Sequence, residues 1–152
     1  MQGSLRTNSF ELAEAESAIR EVLDSGGEFE FYPRGTSMLP LIKQGRDTVT
    51  IVKPDGKLTR GDVALYKRAN GQFVLHRVIK VFPDGYLMCG DNQAIPESGI
   101  TDAQIIAVVS KFKINGVLYS KYSKKLIRYE KRRRNLFFRR IALGIKRRIK
   151  KK

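Results

Sequence analysis

Ser37 stands on a bend, Arg34-Gly35-Thr36-Ser37-Met38-Leu39-Pro40, where small residues let backbone amides approach a substrate carbonyl. A serine presented there is a nucleophile beside its own oxyanion donors, the amides around Thr36, Ser37 and Met38, and the chemistry it suits is acyl transfer. The plainer reading of Gly-Thr-Ser is ordinary loop. His76 is the only histidine and lies in Gln72-Phe73-Val74-Leu75-His76-Arg77-Val78-Ile79, whose alternation puts it on a strand face with Val74 and Val78. A partly desolvated imidazole there can act as a base near neutral pH, or it can simply be a core histidine bonded to a carbonyl. Gly90-Asp91-Asn92 follows the run Tyr86 to Cys89. A carboxylate at a strand end can orient an imidazole, or close the strand as an Asx turn.

Each feature is weak alone, and their order is what carries information. Ser37-Met38-Leu39-Pro40, Gly61-Asp62-Val63, His76-Arg77 and Gly90-Asp91-Asn92 follow one another at domain-scale spacing. In that order they resemble the type I signal peptidases, in particular the endoplasmic-reticulum and archaeal subgroup that uses histidine where bacterial relatives use lysine. The resemblance spans about Tyr32 to Val109, half the chain. It implies Ser37 as nucleophile, His76 as base, Asp91 as the acidic partner, and Gly61-Asp62 as a structural turn entering a strand. Glu97 is the implied occupant of a second acidic position, where the subgroup carries Asp. It further implies a peptide or precursor-protein substrate cut after small residues. Two departures stand out: an acidic amphipathic helix lies where those enzymes have a membrane anchor, and the basic C-terminal segment has no counterpart.

Two other readings compete. A LexA-like self-cleaving regulator shares the serine and the sheet, and Cys89-Gly90 resembles the dipeptides cut in that group. Those proteins, however, use lysine where His76 stands and cleave in a linker before the serine. An inactive nucleic-acid-binding module would use the basic segment, but need not keep Ser37, His76 and Asp91 together.

The elements that must position these residues are mainly β. Asn8 with Glu11 predicts a capping box, and Leu12, Ala15, Ile19, Val22 and Leu23 recur at helical spacing until Gly26-Gly27. From Glu28 the period becomes two. Strands are expected at Phe29 and Phe31, Thr48 to Val52, Asp62 to Lys67, Gln72 to Phe82, Tyr86 to Cys89 and Gln104 to Ile114. Pro54-Asp55-Gly56, Asn70-Gly71, Pro83-Asp84-Gly85 and Asn115-Gly116 separate them as turns. The expectation is a β-rich α+β fold, a coiled antiparallel sheet or partial barrel, and the resemblance makes it of the signal peptidase/LexA type. The chain divides into an N-terminal helix (1–27), a catalytic body (28–120) and a basic amphipathic tail (121–152).

Charge supports that division. The tail holds 16 of the 30 Lys and Arg against one acid, Glu130, while the 120 residues before it hold 14 basic and 14 acidic residues. The formal charge of +15 therefore belongs to the tail, a block that binds polyanions and does little for the fold. Leu126, Phe137, Phe138, Ile141, Ile145 and Ile149 fall near i, i+4 spacing among these cations. An apolar stripe suits an anionic membrane surface better than nucleic acid, although a helix packed on the body is the plainer reading. One cysteine, Cys89, allows no internal disulfide and favours a reducing compartment. No signal peptide or membrane-crossing run is read, so the expected location is cytoplasmic or peripheral on the cytoplasmic membrane face. No metal site and no cofactor is implied.

Overall fold

The computed structural model describes residues 9–133. The first helix, α1 (Ser9–Asp24), buries Leu12, Ile19 and Leu23 on one side, while Val22 is more than a third exposed. Its end is a Schellman arrangement: Gly26 at φ +83° donates to the Leu23 carbonyl and Gly27 donates to that of Val22. Asn8 lies outside the described residues.

Eight strands follow: β1 (Phe29–Phe31), β2 (Thr48–Val52), β3 (Val63–Lys67), β4 (Phe73–Phe82), β5 (Gly85–Cys89), β6 (Glu97–Ile100), β7 (Ile105–Ile114) and β8 (Val117–Ser120). They form one open antiparallel sheet in the order β1-β2-β7-β3-β4-β5-β6. β3 takes one end of the β7 edge that β2 leaves free, through Ala64↔Val108, and β8 takes the other end, through Ile114↔Val117. The β7–β8 connection is a two-residue turn, Asn115 and Gly116, both at positive φ as an Asn-Gly hairpin requires. β6 and β8 are strands that alternation did not reveal. Glu97-Ser98-Gly99-Ile100 contains a single apolar residue, and Val117, Leu118 and Ser120 of β8 are all exposed, so neither carries a core-facing period.

The sheet is apolar on both faces. Val63 and Leu65 of β3 join Phe31, Met38, Leu41, Ile42, Val49, Ile51 and α1 in one cluster, whereas Ala64 and Tyr66 join Val74, Val78, Tyr86 and Met88 in the other. β3 is thus buried on both sides, which is why it reads as a continuous apolar run. The second helix, α2 (Lys124–Arg133), begins inside the basic segment, yet Leu126 is buried in the first cluster. That part of the segment is packed on the body. Its exposed residues include Lys124, Lys125, Arg128, Lys131 and Arg132. Phe137, Phe138, Ile141, Ile145 and Ile149 lie outside the described residues. No helix among those described is long and apolar enough to cross a membrane.

Candidate functional site

The turn bearing Ser37 is fixed by what flanks it. Met38, Leu41 and Ile42 are buried in the first cluster, Leu39 N–H donates to the Thr36 carbonyl, and Ile42 N–H donates to that of Met38. Ser37 is left half-buried at the edge. A second segment grips it from outside: Asn92 donates its backbone N–H to the Ser37 carbonyl at 2.8 Å and its side-chain amide to the Thr36 carbonyl at 3.1 Å. Gly90 lies so close that a Cβ there would meet the Ser37 carbonyl oxygen at 2.6 Å and Ser37 Cβ at 3.0 Å. Only glycine fits. Among the described residues neither the Ser37 hydroxyl nor the amides of Ser37 and Met38 hold a hydrogen bond.

His76 reaches the same place from β4. Period two puts His76 on the face of Val74 and Val78, opposite Ala64 of β3, and turns Arg77 to the other face. The imidazole is 4% exposed. Its Nδ1 lies 3.2 Å from the Tyr66 hydroxyl, and Nε2 holds no partner among the described residues. Burial, and after it the Arg68 cation, push the imidazole down to about 4, while Glu97 and Asp91 pull weakly the other way. The ring is neutral at physiological pH.

The structure does not bring Asp91 against the imidazole. Both carboxylate oxygens are held by Arg77, at 2.8 Å from Nε and 2.9 Å from Nη2, and Oδ2 also accepts from the Tyr129 hydroxyl of α2 at 2.9 Å. The cause is the strand period, because Asp91 follows Cys89, which stands in register with Arg77. Asp91 thereby ties the loop that grips Ser37 to the residue next to His76. Arg77 also donates to the Gly61 carbonyl at 2.8 Å. Gly61, at φ +96°, and Asp62 form the turn into β3: Gly61 N–H donates to the Val78 carbonyl, Val78 N–H donates to that of Asp62, and the Asp62 carboxylate accepts from Thr59 N–H.

The carboxylate on the imidazole's own side is Glu97. It sits at the start of β6 in a bidentate pair with Arg68, whose Nε donates to Oε1 at 3.1 Å and Nη2 to Oε2 at 2.6 Å, and this pair borders the Tyr66 phenol. Burial first, and then the Glu97 charge, raise the phenol's pKa, which keeps it protonated. Tyr66 and Arg68 escaped sequence reasoning. Tyr66 ends an apolar run and reads as core; the usable signal was that it stands two residues from Ala64, the cross-strand partner of His76.

Ser37 and His76 line one cleft of about 240 Å³, with Met38, Ile42, Leu75 and Gln93 among its other walls. β5 pairs β4 only from Arg77 onward, so the β4 edge over residues 73–76 has no strand partner among those described. An extended peptide laid along it would find backbone donors and acceptors beside the serine. No group of His, Cys, Asp and Glu among the described residues is arranged to hold a metal ion. The chain matches no family model, no curated protein and no solved structure.

Proposed function

We propose that this protein is a serine endopeptidase of the signal-peptidase type, acting through an acyl-enzyme on Ser37. The observation that carries the reading is the shared cleft: a hydroxyl and two amides without partners line the same walls as a neutral, buried imidazole from a distant strand. His76 takes the serine proton and returns it to the leaving amine, the amides around Ser37 hold the oxyanion, and water then releases the acyl group. Asp91 holds the scaffold through Arg77, and the acidic influence on His76 comes mainly from the Glu97 side. The resemblance of the four sequence boxes adds the substrate class, a precursor or signal-like peptide cut after small residues. The sheet is read as the signal peptidase/LexA type on the same ground.

Self-cleavage at Cys89-Gly90 is disfavoured, since Cys89 is paired in β5, is 1% exposed, and its sulfhydryl is 3.5 Å from the Gln93 carbonyl. The exposed cations of α2 lead toward residues 134–152, and together they suit attachment to an anionic membrane surface, each cation contributing about 1 kcal/mol. A peripheral position on the cytoplasmic face follows from that reading. The test is a peptide-library digest followed by mass spectrometry. Wild type is expected to cut, and Ser37→Ala to lose cutting at unchanged thermal stability. Equal cutting by both proteins sinks the assignment.

A further inference from the structure

Serine activation needs the imidazole in one tautomer. If Nε2 is to accept the serine proton, Nδ1 must carry the ring hydrogen, and the group facing Nδ1 must be an acceptor. In the usual triad a carboxylate fills that place. Here the facing group is the Tyr66 hydroxyl, at 3.2 Å, and a phenol can either donate or accept. What decides is the phenol's own surroundings. It is fully buried and bordered by the Glu97–Arg68 pair, whose carboxylate takes a hydrogen and whose guanidinium gives one.

We propose that Tyr66 is a positioning residue through which Glu97 sets the tautomer of His76: the phenol donates its hydrogen to the Glu97 carboxylate, accepts Nδ1–H, and leaves Nε2 unprotonated. This rests on the peptidase reading of Ser37 and His76 and supplies the orienting partner that Asp91 is not placed to provide. Arg68 anchors Glu97 so that the carboxylate stays beside the phenol. When Nε2 takes the serine proton, the imidazolium keeps Nδ1–H on the phenol oxygen. The developing positive charge is then felt by Glu97 across one neutral link, and no proton leaves Tyr66. The opposite polarity, with Arg68 donating to the phenol and the phenol donating to Nδ1, would put the hydrogen on Nε2 and disable the base.

Because His76 is the only histidine, labelling with ring-¹⁵N histidine gives one pair of nitrogen signals that report the tautomer directly. At pH 7 the wild-type protein and Ser37→Ala are both expected to show a protonated Nδ1 and an unprotonated Nε2. Tyr66→Phe, which keeps the ring and its packing, should exchange the two positions toward the Nε2–H form that predominates in free histidine. Glu97→Gln should move them the same way by a smaller amount. A wild-type ring protonated at Nε2 overturns the proposal, as does an unchanged spectrum in folded Tyr66→Phe. The spectrum requires no substrate, so a failure to find peptide cleavage counts against the peptidase reading alone, while the tautomer result counts for or against Tyr66.

Discussion

Two arginine–carboxylate pairs flank the candidate base, and they differ in depth. Arg77–Asp91 is sealed, with side chains 5% and 0% exposed, whereas Arg68–Glu97 is 30% exposed on both sides. Both are bidentate, so geometry alone does not rank them. Burial does. A sealed pair has lost the water that could rescue either partner, so removing one leaves a buried charge unbalanced; a half-exposed pair is screened and stabilises little. The first pair holds the fold around the serine, and the second contributes little to it.

The largest effect expected from that contrast is on folding. Asp91→Ala should cost about 3–5 kcal/mol in denaturant unfolding, because Arg77 and the Tyr129 hydroxyl both lose their acceptor in the interior. A loss under 1 kcal/mol would put Asp91 in the same class as Glu97 and end the distinction.

Acidification comes next. The imidazole is held at about 4 in the folded chain against an ordinary 6.5, so below 6.5 the unfolded state binds a proton that the folded state refuses. Stability should therefore fall between about pH 6.5 and pH 4, by roughly 3 kcal/mol, and His76→Gln should flatten that window. Carboxylates held below their ordinary value, such as buried Asp47, lose their contribution only as pH falls through and below about 4, so the two effects separate. The second ion pair can be read in the same titration: Arg68→Gln should shrink the loss and Glu97→Gln deepen it. A His76→Gln protein that loses as much stability over this window as wild type would show that the imidazole is not the group responsible.

The smallest effect on stability belongs to Glu97→Gln at neutral pH, below about 1 kcal/mol by thermal unfolding. Its effect on peptide cleavage should be proportionally greater, with turnover reduced and KM little changed, since the carboxylate acts on the base and not on substrate binding. Equal damage to stability and turnover would mean that Glu97 is only a brace.

Much of this arrangement was readable from residues alone, because the governing signals are local. Alternation placed His76 with Val74 and Val78, turn chemistry placed the hairpin at Asn115-Gly116, and buried Met38, Leu41 and Ile42 explain why an apolar turn follows the serine. What failed was pairing between distant segments. Asp91 and Glu97 are six residues apart, and nothing local tells which one faces the imidazole. That depends on Cys89 standing in register with Arg77 while Met88 stands in register with Glu97, so a short strand without apolar alternation swings the second acid to the histidine's side. The boundary expected at residue 121 falls between β8 and α2. Net charge marks the segment beyond it as a tail, while Leu126 and Tyr129 seat the start of α2 on the body.

The Tyr129 contact also bears on when the buried Arg77–Asp91 pair is complete during synthesis. The serine turn, the base strand and the loop of Asp91 are all made well before residue 129, and ribosomal chains emerge N-terminus first at about 5–20 residues per second. Until α2 emerges and docks, Asp91 lacks one of its donors and the first cluster lacks Leu126. The nascent chain thus carries Ser37, His76 and Asp91 before it carries the helix that holds Asp91. The buried Arg77–Asp91 pair therefore gains its last donor only when nearly the whole body has left the ribosome.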